Sequence, residues 1–104
     1  MRELIKIMDP EEFRAELERE GIRTIRRDYI KRTDKNGVAG GYLVLTAEKD
    51  DVIYRHEALL IVQRAILWDS DYVQEKCKEQ KEKAEKWLRE FFKDFTIRPG
   101  IIVR

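Results

Sequence analysis

At 104 residues the chain is large enough for one modest hydrophobic core and too small for a second, so residues 1–104 read as a single domain. Its 22 basic and 21 acidic side chains leave a formal charge of +1, which excludes a global field steering the molecule toward nucleic acid or an anionic membrane and confines electrostatic specificity to local clusters. The longest run without a charge, Asn36 to Ala47, falls far short of the roughly 20 apolar residues of a membrane span, and 42% hydrophobic content argues against a disordered chain.

Lys, Arg and Glu dominate the polar positions, while Asn36 and Cys77 are the single Asn and the single Cys, a bias met in proteins from hot environments. One Cys cannot form an internal disulfide, and Met1-Arg2-Glu3-Leu4 has neither the apolar run nor the cleavage site of a secretory signal. The expected compartment is the cytoplasm, with no membrane partner.

Glu3 to Met8 is short, apolar-rich and partly alternating, and predicts a first strand that stops at Asp9-Pro10. Asp9 can accept backbone N–H bonds as a helix N-cap, and Pro10 suits the first helical position because it has no N–H to leave unpaired. With Phe13 and Leu17 on one face and Gly21 as terminator, the first helix is expected over about residues 10–20.

Ile22 to Glu48 predicts a hairpin turning at Asp34-Lys35-Asn36-Gly37, where Asn-Gly can supply two positive-φ residues. The second strand is the more apolar, which makes it the central one and the first the outer one. Gly40-Gly41 inside it predicts a bulge or the close approach of another backbone.

Residues Val52 to Trp68 are apolar at eleven positions covering most of a helical circumference, and predict a helix buried on more than one side after Asp50 or Asp51 as cap. A further amphipathic helix is expected from Tyr72 to about Phe95, opened by an Asp71/Gln74 capping box, with Cys77 on its apolar stripe. Thr96 to Arg104 closes the chain as a short strand interrupted at Pro99-Gly100.

This order, with the two later helices taken as one enlarged crossover, is the βαββ(αα)β arrangement of a ferredoxin-like α+β plait. If the last strand does not join the sheet, a three-stranded α+β sandwich is the alternative.

The most lopsided charge lies within residues 22–37, where six basic side chains face two acidic ones, against four basic and seven acidic in residues 1–21. Strand alternation groups Arg23, Arg27, Lys31 and Lys35 with Tyr29, the composition of a backbone-tracking, base-stacking nucleic-acid site. The plainer reading is charge that keeps an outer strand from pairing edge to edge. The paired aromatics of the RNP1 pattern are lacking.

His56 has no Cys or His at metal-ligand spacing and reads as structural rather than as a catalytic base. Cys77 reads as a small core residue, and Glu48, Asp50 and Asp51 as capping residues rather than a cation site. No metal or cofactor is expected, and no catalytic residue stands out. Trp68, Tyr72, Trp87, Phe91, Phe92 and Phe95 form an aromatic reserve for core packing or an interface. The sequence therefore points to a small non-enzymatic binding protein, self-associating through helices over residues 52–95 as a homodimer. A nucleic-acid-binding module using the hairpin is the alternative, and an enzyme with a site assembled from distant residues comes third.

Overall fold

The computed structural model describes residues 4–100. It is a mixed α+β structure whose elements run β1 (Leu4–Ile7), α1 (Pro10–Arg19), β2 (Thr24–Thr33), β3 (Val38–Lys49), β4 (Val52–Arg64), a short 3-10 turn at Ala65–Leu67, α2 (Asp71–Phe91) and β5 (Thr96–Pro99). The five strands form one sheet in the order β1-β4-β3-β2-β5, with β1 parallel to β4 and β5 parallel to β2. The end of the expected last strand, residues 101–104, lies outside the described residues, as does Glu3.

The largest departure from expectation is at residues 52–68. They form strand β4 and the 3-10 turn, not a helix, so the enlarged helical crossover is replaced by a strand and the order becomes βαβββαβ. The reason is composition: Ala58 to Val62 is an unbroken apolar run, which blurs the period of two, although only Tyr54 and His56 of β4 are buried and Leu59 and Val62 are exposed. β-Branched and aromatic residues at Val52, Ile53, Tyr54, Ile61 and Val62 favour the extended form. Asp50 and Asp51 are turn residues between β3 and β4, Asp50 taking a left-handed φ of 56°, which its short polar side chain tolerates. β3 is central, as expected, but β2 is not an outer strand at its start, because Thr24–Arg27 pair with Thr96–Pro99 of β5.

The chain divides into two compact units, and β2, β3 and β4 each run from one into the other. The first comprises Met1–Asp28, Val44–Glu57 and Phe92–Arg104. Here Asp9 caps α1, its carboxylate accepting the Glu12 N–H at 2.8 Å, and Gly21 ends the element at φ 70°. Phe13, Leu17, Ile25, Leu45 and Phe92 are buried, with Phe13 and Phe95 each set edge-on to Phe92 at 6.0 and 5.6 Å. His56 is buried on β4, and its Nδ1 donates to the Met8 carbonyl at 3.0 Å. Burial pushes the Tyr54 phenol above its ordinary pKa, and the Glu20 and Glu16 carboxylates push it the same way.

The second unit comprises Tyr29–Leu43 and Ala58–Phe91. Its hairpin turn differs from the one expected. Only Gly37 has positive φ, at 76°, and the Asp34 carboxylate accepts the Asn36 and Val38 N–H groups at 2.8 and 3.0 Å. Those two bonds favour a three-residue loop with one left-handed glycine over a two-residue Asn-Gly turn. α2 starts one residue earlier than its capping box implies: Ser70 is the cap, its Oγ accepting the Val73 N–H at 3.3 Å. Val73, Ala84 and Leu88 are the buried residues of α2, while Cys77 is half-buried and not a core residue.

Candidate functional site

The five residues singled out from the sequence fall in different places. Arg23 and Arg27 belong to the first unit, Arg23 beside the Phe95 ring at 5.7 Å and Arg27 accepting the Gly100 N–H on its carbonyl at 2.7 Å. Tyr29, Lys31 and Lys35 belong to the second, where Lys35 sits in the exposed turn and Tyr29 and Lys31 come together on the wall of a cavity.

That cavity has a volume of about 160 Å³ and is lined from β2 by Tyr29 and Lys31, from β3 by Gly41, and from α2 by Cys77 and Lys81. Gln74, Cys77 and Lys81 stand three and four apart on α2, so one stripe of the helix supplies that wall. Trp68 completes it. Its main chain is held from both sides: the 3-10 turn before it is pinned by Ala65 N–H to the Gly37 carbonyl at 2.8 Å, and the Gln74 amide donates to the Trp68 carbonyl at 2.7 Å.

Gly40-Gly41 owes its composition to aromatic side chains rather than to a bulge or a second backbone. A Cβ on Gly41 would stand 3.2 Å from Trp68 Cη2, and one on Gly40 would stand 2.9 Å from Tyr42 Cε1. Successive strand residues point to opposite faces, so two adjacent glycines let a ring lie against β3 on each side. Each ring carries a cation from β2: Lys31 Nζ is 5.3 Å from the Trp68 ring and the Arg32 guanidinium 4.8 Å from the Tyr42 ring. On the cavity side a second ammonium, Lys81 Nζ, lies 5.4 Å from the Tyr29 ring.

The cavity thus joins three half-buried aromatic residues, Tyr29, Tyr42 and Trp68, to two exposed ammonium groups, with no acidic residue on its wall among the described residues. A cation over an aromatic face is worth about 0.5–1 kcal/mol at an exposed site, whereas a nucleobase stacked on such a ring contributes about 1–3 kcal/mol. A flat anionic ligand can therefore displace the ammonium groups from the rings and keep them as partners for its charge.

Sequence reading missed Trp68, Lys81 and the role of Gly41. Trp68 stood at the end of a segment read as helix and Lys81 among many charges on a helix surface, so Tyr29, Lys31 and Gly40-Gly41 alone marked the place. Among the described residues no group of three or more His, Cys, Asp or Glu is placed to hold a metal ion, and no helix is long and apolar enough to cross a membrane. Compared with family models, curated proteins and solved structures, the chain matches none.

Proposed function

We propose that this is a small non-enzymatic binding protein and that its ligand is single-stranded nucleic acid, engaged at the cavity of the second unit. The observation that carries this reading is the convergence of Tyr29, Lys31, Trp68 and Lys81 on one cavity free of carboxylates. Cations that track phosphate beside rings that stack on bases are the pairing used by proteins that hold unpaired strands, and a ring half-buried in a cavity cannot reach a base kept inside a duplex.

Fluorescence anisotropy of labelled single-stranded and duplex DNA and RNA, at low and physiological salt, tests it. The double variant Lys31→Ser/Lys81→Ser is expected to weaken single-strand binding and flatten its salt dependence by about one unit of log–log slope per lysine. Arg23→Ser in the first unit should change it far less. Equal losses would favour the whole Arg23–Lys35 strip as the interface, and no binding at low salt would overturn the reading.

Self-association through residues 52–95 is a second reading, although residues 52–64 of that segment are a strand and not a helix. It is supported by the exposed apolar side chains Leu59, Val62, Ile66, Leu67 and Tyr72, Ile66 exposed by 87% and Tyr72 by 67%. Sedimentation velocity on the wild type and Ile66→Glu distinguishes a dimer from a monomer. The Lys- and Glu-rich composition supports a hot source, and an unpaired, half-buried Cys77 suits a reducing cytoplasm.

A further inference from the structure

We infer that the cavity accepts a single nucleotide bearing a terminal phosphomonoester, an assignment that rests on the nucleic-acid reading above and narrows it. Volume is the first argument. At about 160 Å³ the space is well below the roughly 300–1,000 Å³ of sites that enclose a drug-sized ligand, so it holds one ring system and not a run of bases.

Polarity is the second. Tyr29, Trp68 and Ile61 offer flat and apolar surface, and the amides of Gln74 and Gln80 are uncharged hydrogen-bonding groups beside it. Gln74 uses its NH2 on the Trp68 carbonyl, which leaves its own carbonyl oxygen to accept from the exocyclic amine of a base.

Charge is the third. Lys31 and Lys81 place two ammonium groups on a cavity with no carboxylate. An internal phosphodiester brings one negative charge, while a terminal monoester carries about −1.5 to −2 at neutral pH, and two lysines match the latter. Both groups are exposed lysines at the end of flexible stems, each resting on a ring that the base would cover, so base entry and phosphate capture are one rearrangement. The same chemistry is offered by a free nucleoside monophosphate and by the phosphorylated end of a strand.

Titrating the full chain carrying Trp87→Phe, which leaves Trp68 as its one indole, with AMP, adenosine, inorganic phosphate, and oligonucleotides with and without a 5′-phosphate separates the cases. Equilibrium dialysis of labelled AMP against the wild type gives the same answer without that substitution. Saturable quenching of Trp68 by AMP is expected, with adenosine and phosphate weaker by at least about tenfold, and with Lys31→Ser and Lys81→Ser each weakening AMP while the circular dichroism is unchanged. Preference for the 5′-phosphorylated strand would identify the strand end as the source. AMP binding without oligonucleotide binding would keep the cavity assignment and overturn the nucleic-acid reading. Oligonucleotide binding indifferent to the terminal phosphate, with no AMP binding, would overturn the single-nucleotide assignment alone. No binding of any of them would overturn both.

Discussion

Replacing Gly41 by Ala tests the aromatic clamp on β3 directly. The added methyl would stand 3.0 Å from Ile61 Cγ2, 3.2 Å from Trp68 Cη2 and 3.7 Å from Trp68 Cζ2, where ordinary contact begins at 3.4 Å. Two neighbours must each give by a few tenths of an ångström, and their main chains are fixed: Ile61 lies within β4, and Trp68 is tied at its carbonyl by Gln74 and through the preceding turn to Gly37, so relief must come from the side chains themselves. Overpacking of this kind costs about 1–3 kcal/mol, and removing a glycine from the unfolded chain returns about 0.4–1 kcal/mol. The net loss is about 1 kcal/mol, which lowers Tm by about 4–8 °C in a chain of this size. Gly40→Ala is the matched comparison. The nearest atoms to its methyl would all belong to the Tyr42 side chain, Cε1 at 2.9 Å, and that ring can turn outward at the expense of its contact with Arg32. The lost cation–π contact, about 0.5–1 kcal/mol, nearly offsets the backbone gain, so Tm should barely move. Thermal unfolding followed by circular dichroism, with Trp68 emission read in a Trp87→Phe background, measures both. The reasoning fails if Gly40→Ala is the more damaging substitution, or if Gly41→Ala leaves both Tm and the Trp68 emission where they were.

Asp34→Ala removes the acceptor of the Asn36 and Val38 N–H groups and should lower the urea midpoint by the equivalent of about 1–2 kcal/mol; an unchanged midpoint would show that the carboxylate does not hold the turn. Phe92→Ala empties the centre of the first unit's aromatic cluster and should cost about 3–5 kcal/mol in the same titration, a loss below 1 kcal/mol being incompatible with the packing described. Tyr54 supplies a pH signature. Its folded pKa is raised above the ordinary value of 10.0, so the native state holds the phenolic proton more tightly than the unfolded state does. Its contribution is complete below about pH 10 and is lost as pH rises toward the folded pKa. Tm measured from pH 9 to 11 should fall more steeply for the wild type than for Tyr54→Phe, and parallel curves would exclude the effect.

What the sequence shows of the fold depends on whether a segment's neighbours are close along the chain. α1 is readable because its signals are local: Asp9 before Pro10, Phe13 and Leu17 four apart, and Gly21 at the end give Pro10–Arg19 within one residue of expectation. The two strands of the hairpin are readable for the same reason, although the turn is decided by the Asp34 side chain and not by Asn-Gly alone. β4 is not readable that way. Val52 to Trp68 is long, and apolarity on both sides describes a buried helix and a strand between two others equally well, so length argues for the wrong one. Only the pairing of Leu4–Ile7 with Val52–Arg55, about 48 residues apart, separates the two, and such pairing leaves no periodic mark.

The candidate site follows the same rule one level higher. Tyr29 and Lys31 are visible from the alternation of a single strand, and Gly40-Gly41 shows that something approaches β3 closely. The residues that turn these hints into a cavity, Trp68 and Lys81, arrive from a 3-10 turn and a helix that begin after β4 ends. Misreading β4 as a helix therefore hides the site as well as the strand, because it leaves Trp68 at the end of an apolar helix with no reason to meet Gly41. The basic cluster of residues 22–37 is correspondingly less uniform than its charge count suggests. β5 pairs along its start, the turn exposes Lys35, and Arg23 and Arg32 lie over other rings, so what distinguishes Lys31 from its neighbours is that it lines the cavity together with its ring, Trp68.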